Sequence, residues 1–196
     1  MIGIIDYGSG NLKSVTNALE KIGQKFVLVN QPDKLNGVDK VILPGVGAAG
    51  YAMSELDQRG FTEVLRNLKI SFLGICLGMQ LLAQYSEEGE VKCLGLISGK
   101  VQKFEDTALK VPQVGWNKVC IVNKMPLFDG IDDEQYFYFV NSYYLSAKDS
   151  YVTSEAYYGV EFAASIRSGN FYGVQFHPEK SCEVGLKLLT NFCNLC

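Results

Sequence analysis

One cysteine and the chain's only histidine carry the chemistry that this sequence is best equipped to perform. Cys76 closes an apolar run, Phe72-Leu73-Gly74-Ile75, and from Leu77 the apolar residues recur at helical spacing, at Leu77, Leu81, Leu82 and Tyr85. The pattern predicts a strand that turns sharply into a helix at the cysteine. Gly74 and Gly78 lack Cβ atoms, so the turn can be strained and the helix can lie close to the strand. This is the G-x-C-x-G layout of a nucleophile elbow. A thiol at a helix N-terminus is favoured as thiolate by the macrodipole and by unpaired N–H groups, and the N–H of Leu77 points where an oxyanion would form. Taken alone, the run also fits a buried cysteine that packs as a small hydrophobe before an ordinary helix.

An imidazole base for Cys76 has to be His177, because the sequence contains 1 histidine. It stands in Val174-Gln175-Phe176-His177-Pro178-Glu179-Lys180. Pro178 has no N–H to give and its φ is fixed, so the ladder stops there and His177 is held at a strand end. Glu179 can then accept a hydrogen bond from one ring nitrogen and fix the tautomer, as the third member of a nucleophile, base and orienter set. A second glycine-bearing loop, Pro44-Gly45-Val46-Gly47-Ala48-Ala49-Gly50, directly follows an apolar strand and is able to turn its N–H groups into an anion-binding nest. It fits a phosphate cradle, although no G-K-[ST] and no lysine accompany it. It also fits the second half of an oxyanion hole facing Cys76, since both loops leave the carboxyl ends of neighbouring strands.

The rest of the chain must position these groups. Its 196 residues suit one α/β domain spanning 1–196, with a mainly parallel central sheet flanked by helices and an additional antiparallel β region. Ile2 to Asp6, Phe26 to Val29 and Val41 to Leu43 read as buried strands. An amphipathic helix runs to Ile22, and a second from Tyr51 to Leu68 has a break at Gly60. Ser86 to Glu90 reads as a solvated charged turn. From Gly95 onward short alternating strands follow, at Lys100–Phe104, Gly115–Val122, Tyr136–Val140, Tyr143–Ala147, Thr153–Tyr157, Phe162–Ile166 and Phe171–Gln175, and Glu183 to Leu195 closes the chain as a helix.

Several function classes are excluded or disfavoured. The net charge of −3 and pI near 5.3 argue against nucleic acid or an anionic membrane as partner. No apolar run reaches the roughly 20 residues of a membrane span and no basic leader precedes Asp6, so the protein is expected in the cytoplasm with its 6 cysteines as free thiols. The loop Gly8-Ser9-Gly10-Asn11 has Lys13 where a dinucleotide fingerprint needs its third glycine. It therefore reads as a tight turn or a partner contact. Cys193 and Cys196 have no second pair to complete a zinc site, and no cofactor or metal is expected.

With Cys76, His177 and Glu179 assembled, the chain resembles the class I glutamine amidotransferases of the triad type. Gly-Ile-Cys76-Leu-Gly-Met-Gln80 and Phe-His177-Pro-Glu179 are similar to the two signatures of that class. Within it, Asp6-Tyr-Gly-Ser-Gly-Asn-Leu12, Pro44-Gly-Val-Gly47, Pro112-Gln-Val-Gly-Trp-Asn117, Phe139-Val-Asn-Ser-Tyr-Tyr144 and His177-Pro-Glu-Lys-Ser181 look like the glutaminase subunits of histidine biosynthesis. The resemblance implies a flavodoxin-like fold and hydrolysis of L-glutamine through a thioester on Cys76. The oxyanion would be held by backbone of Val46, Gly47 and Leu77, and glutamine by Gly47, Gln80, Asn141, Ser142 and Tyr143. It also implies a heterodimer with a (β/α)₈ barrel cyclase that receives the ammonia, faced by Asn11, Trp116, Asn117, Tyr138 and Lys180, with little glutaminase activity until that partner binds its ligand. Two positions depart from the family's habit: Asn141 stands where a histidine is usual, and Ala49 where an aromatic residue is usual. They leave open a paralogue that feeds ammonia to an amidotransferase making amidino sugars for surface glycans.

Overall fold

The computed structural model describes residues 1–8, 11–105 and 109–196, so Ser9 and Gly10 of the first glycine-bearing loop lie outside the described residues. The chain opens with β1 (Ile2–Ile5), α1 (Leu12–Lys21), β2 (Phe26–Val29), β3 (Lys40–Gly45), α2 (Ala49–Gln58), α3 (Phe61–Arg66), β4 (Ser71–Cys76) and α4 (Leu77–Gln80). It continues through β5 (Tyr85–Ser86), β6 (Val91–Lys92), β7 (Gly99–Lys103), β8 (Gln113–Ile121), β9 (Gln135–Asn141), β10 (Tyr143–Ala147), β11 (Val152–Tyr158), β12 (Val160–Ser168) and β13 (Phe171–Val174), and ends in α5 (Cys182–Leu195).

A 9-stranded sheet in the order β2-β1-β3-β4-β13-β12-β11-β8-β9 forms the framework. It is parallel from β2 through β13 and antiparallel beyond. The parallel half reads as unbroken apolar runs because both of its faces are covered. Successive residues go to opposite layers: Ile5, Val41, Leu43 and Phe72 join α2 and α3 in one core, and Ile4, Ile42, Leu73 and Ile75 join α1 and α5 in the other. The antiparallel half instead buries alternate residues of β9, Phe137 and Phe139, and exposes Tyr136 on the other face. A second, 4-stranded sheet, β10-β7-β5-β6, was expected to be antiparallel but is mixed: β10 with β7 and β5 with β6 are antiparallel, whereas β5 runs parallel to β7.

Most expected elements are present within a residue or two of their predicted ends, including the break at Gly60, which is left-handed at φ 76° between α2 and α3. The helix after Cys76 is an exception. Apolar spacing predicts it to Tyr85, yet α4 is one turn long and Tyr85 already belongs to β5. The cause is competition for its carbonyls: those of Leu81, Leu82 and Ala83 accept N–H groups from Leu94, from Leu96 and Ile97, and from Gly95. A second helical turn would need the same acceptors. The apolar periodicity is real but serves packing against that incoming loop.

At the elbow itself the backbones touch. A Cβ on Gly78 would lie 1.9 Å from the Leu43 carbonyl oxygen, and one on Gly74 would lie 2.4 Å from the Gly78 oxygen. Neither neighbour is a flexible side-chain end that can swing away. Gly78→Ala should therefore destabilise the fold by about 3 kcal/mol. For a chain of this size that is a drop of roughly 6–12 °C in melting temperature. A melting point within about 2 °C of the unsubstituted protein in a thermal scan would contradict this packing.

Candidate active site

Strand order brings the predicted groups together. In β3, β4 and β13, lying side by side, Gly45 is in register with Cys76, and Ile75 with Val174. The loop after β3, the elbow after β4 and the histidine turn after β13 therefore leave one edge of the sheet as neighbours. They meet in a cavity of about 260 Å³ whose walls include Val46, Gly47, Cys76, Leu77, Gln80, Asn141, Ser142, Tyr143, His177 and Lys180. Cys76 sits in the left-handed region at φ 52°, ψ −108°, a conformation that side-chain-bearing residues adopt at a cost. Because α4 is a single turn, the electrostatic help given to the thiol comes from its nearest N–H groups and side-chain neighbours rather than from a long macrodipole.

His177 is buried and fixed from several directions. Its Nδ1 lies 2.8 Å from Glu179 Oε1, and Glu179 is almost completely buried behind it. The remaining ring nitrogen is left for Cys76, which lines the same cavity. The backbone is clamped to β9: His177 N–H donates to the Tyr138 carbonyl at 2.8 Å, Ser181 Oγ donates to the His177 carbonyl at 2.7 Å, and Tyr138 N–H donates to Ser181 Oγ at 3.0 Å. The preceding Phe176 stacks on Phe137 with ring centroids 4.1 Å apart, an aromatic pair worth about 0.5–1.5 kcal/mol beyond its burial. Burial alone would push the imidazolium to a lower pKa. The charge and hydrogen bond of Cys76, then those of Glu179, outweigh it and raise the value from 6.5 to about 10. The arrangement sets a charged imidazole, oriented by a buried carboxylate, beside the Cys76 sulfur, the layout of a nucleophile, base and orienter.

Glu88 was expected in a solvated turn. The structure places it on the cavity wall, half-buried, with Oε2 accepting the Ala49 N–H at 3.0 Å. Burial raises its pKa, and the Ala49 bond opposes that rise. No local pattern marks it, since Ser-Glu-Glu-Gly-Glu has the composition of any surface turn; only the docking of that turn against α2 reveals it. Gln80 donates from Nε2 to the Tyr143 carbonyl at 2.9 Å and to Gln175 Oε1 at 2.9 Å. Asn141 Nδ2 donates to the same Tyr143 carbonyl at 3.0 Å, while its Oδ1 is buried with no partner among the described residues.

The residues expected to face a partner are divided by the fold. Trp116 and Tyr138 are cross-strand neighbours on β8 and β9 with rings 6.1 Å apart, and Trp116 is 50 % exposed. Lys180 joins them, its Nζ 5.8 Å from the Tyr138 ring centroid, and also lines the cavity. Asn117 departs from this group: as the next residue along a strand it points to the face opposite Trp116, and its amide is spent on the Tyr157 carbonyl at 2.9 Å. Asn11 precedes α1 and accepts a hydrogen bond from Ser14 Oγ; it makes no part of the cavity wall.

The sequence profile described as Glutamine amidotransferase class-I matches residues 3–195. The chain is 49 % identical over 191 residues to the imidazole glycerol phosphate synthase subunit HisH of Haemophilus influenzae (strain ATCC 51907 / DSM 11121 / KW20 / Rd), covering 97 % of this chain and 96 % of that one. It is 47 % identical over 201 residues to imidazole glycerol phosphate synthase subunit HisH 1 of Campylobacter jejuni (strain RM1221), covering 100 % of both. Among solved structures, one titled as a glutamine amidotransferase superposes with a TM-score of 0.78 at 17 % identity, over 99 % of this chain and 97 % of that one, and so shares the fold.

The single histidine makes its own protonation directly observable. The imidazole NMR signals should titrate with a midpoint near 10 and fall toward the ordinary value of 6.5 in Cys76→Ala, which removes the largest of the causes that raise it. Because the folded-state value lies above the unfolded one, the stability contributed by the imidazolium is complete below about 6.5 and is lost as the pH rises through about 10. A midpoint near 6.5 in the unsubstituted protein would exclude the charged imidazole.

Proposed function

We propose that this chain, which belongs to the class I glutamine amidotransferases, is the glutaminase subunit of imidazole glycerol phosphate synthase, acting as one domain over residues 1–196. It hydrolyses L-glutamine to glutamate and ammonia and passes the ammonia to a cyclase subunit for histidine biosynthesis. The observation that carries the reading is the buried set of Cys76, His177 and Glu179 at the edge of β4 and β13, in a chain similar over almost its full length to subunits of that synthase.

In this reading the Cys76 thiolate attacks the side-chain carboxamide carbon of glutamine. The oxygen gains the negative charge and is met by the N–H of Leu77 and by those of the Val46-Gly47 loop. Gly47 has a φ of 95°, a conformation in which a change of peptide orientation costs little. Each such donor is worth about 2.7–4 kcal/mol of barrier, so a loop that presents its N–H only when the partner is bound would act as an on-switch. The His177 imidazolium gives its proton to the amide nitrogen, the C–N bond breaks and ammonia leaves, and a glutamyl thioester remains on Cys76. The neutral imidazole then takes a proton from water while the hydroxide attacks the thioester. Collapse releases glutamate and restores the thiolate and imidazolium, with Glu179 holding the ring throughout.

The cavity also has the charge pattern of an amino-acid site. Glu88 is the carboxylate on its wall and suits the α-ammonium of glutamine, beside Gly47, Gln80 and the backbone of Asn141, Ser142 and Tyr143. A (β/α)₈ barrel cyclase would dock on the face made by Trp116, Tyr138 and Lys180, where Val114 and Tyr136 are also exposed. Large aromatics of this kind dominate interface energetics. A cytoplasmic location fits a chain in which, among the described residues, no helix is long and apolar enough to cross a membrane.

The deciding assay is release of glutamate from glutamine with the cognate histidine-pathway cyclase, with and without the cyclase's ribonucleotide ligand. Release should be weak for the chain alone and rise many-fold with the liganded cyclase. Cys76→Ala should lose glutamine-dependent synthesis while the partner still turns over with ammonium salts. A cyclase that neither binds nor activates the chain would move the acceptor elsewhere, to an amidino-sugar pathway. Trp116→Ala should weaken the complex by about tenfold or more, read by calorimetry; an unchanged Kd would remove that residue from the interface.

A further inference from the structure

The geometry points to Gln175 as a positioning residue for the nucleophile: its side-chain amide holds the Cys76 sulfur and, through the same amide, sets the orientation of Gln80 in the substrate cavity. Gln175 is completely buried, one residue past β13. Its backbone N–H is tied to the Ala164 carbonyl at 2.8 Å. Its Nε2 lies 3.5 Å from Cys76 Sγ, and its Oε1 accepts from Gln80 Nε2 at 2.9 Å.

The direction of each bond follows from the one before it. A thiolate has no proton and can only accept, so the group that Gln175 turns toward Cys76 must be its NH₂. That leaves the Gln175 carbonyl facing Gln80, which must answer with an N–H. The second proton on the Gln80 nitrogen goes to the Tyr143 carbonyl at 2.9 Å. Both donors of Gln80 are then committed, and what it has left for a ligand is its carbonyl oxygen, an acceptor. The Tyr143 carbonyl at one end, which can only accept, and the Cys76 sulfur at the other thus agree on the polarity of two amides in series. The donor is also permanent: His177 gives its proton away in each turnover, whereas an amide N–H does not titrate in the working range. The opposite side of the sulfur is occupied by the Val140 carbonyl, 3.7 Å away, which suits the protonated thiol. Gln175 and Val140 therefore present a donor and an acceptor to the sulfur. The titratable groups facing the sulfur are His177, backed by Glu179, with Glu88, Tyr143 and Lys180 on the walls of the same cavity.

The inference rests on Cys76 being the nucleophile of the proposed glutaminase, and its test needs neither glutamine nor a partner subunit. The rate of Cys76 alkylation by chloroacetamide is measured against pH in the unsubstituted protein, in Gln175→Met, which keeps length and flexibility without the amide, and in Gln175→Glu, which keeps the acceptor toward Gln80 but faces the sulfur with a carboxylate. Alkylation at neutral pH should slow about tenfold in the Met variant and more in the Glu variant, with the midpoint of the pH–rate profile moved upward in both. A merely structural role would lower the melting temperature and leave that midpoint in place. A folded variant of either kind with the unsubstituted profile overturns the assignment. Should neither variant fold, the side-chain amide protons of Gln175 in the unsubstituted protein decide: their NMR resonance must move when Cys76 is changed to Ala, and an unmoved resonance overturns the assignment equally.

Discussion

Cys76 holds φ 52°, and everything the site does depends on keeping that backbone in place. Such a conformation costs a side-chain-bearing residue on the order of 1–3 kcal/mol and persists only when its surroundings over-determine it. Here the surroundings are the parallel register of β3, β4 and β13 on one side and the contact of Gly78 with the Leu43 carbonyl on the other. The first sets where β4 ends; the second leaves no room for the chain to relax toward an ordinary helix start. The thiol is consequently carried at the sheet edge on a rigid corner, and the imidazole can be built to meet it from the adjacent strand.

Around that corner the molecule divides its labour between the two halves of the sheet. The parallel half, apolar on both faces, supplies stiffness and the three neighbouring loops. The antiparallel half supplies the far wall of the cavity at Val140 and Asn141, continued by Ser142 and Tyr143 where the chain passes into the second sheet, and the aromatic cluster in which Phe176 is seated. The polar atoms between the halves form one chain of hydrogen bonds, from Asn141 and Gln80 at the Tyr143 carbonyl through Gln175 to the Cys76 sulfur. Its members are buried, so each missing partner would carry a full desolvation cost. Asn141 Oδ1 is the place where this chain stops short.

Much of this was legible from residue order alone. Unbroken apolar runs marked the parallel strands, alternation marked the antiparallel ones, and glycines two either side of a cysteine marked the corner. The histidine followed from scarcity, there being one. What was not legible is tertiary in origin. The helix after Leu77 stops after one turn because a loop distant in sequence takes its carbonyls; β5 and β6, two residues each, are too short to show any period. Glu88 looks like a surface charge until its turn docks on α2, and Gln175 looks like any strand-end residue until Cys76 and Gln80 close around it. Asn117 was placed with Trp116 by its motif, but the pleat turns it to the other face.

The tie between Tyr138 and His177 has a mechanical meaning. Tyr138 shows its ring to the aromatic face of β8 and β9, while its N–H and carbonyl are both engaged with the histidine turn, one through Ser181 and one directly. No flexible linker separates the outer surface of the sheet from the imidazole. A load applied to that ring is carried inward along two parallel paths, one a single bond and the other two bonds through Ser181, so the compliance of the imidazole is that of the strand itself, and anything pressing on this face is felt there as a displacement rather than absorbed as local softness.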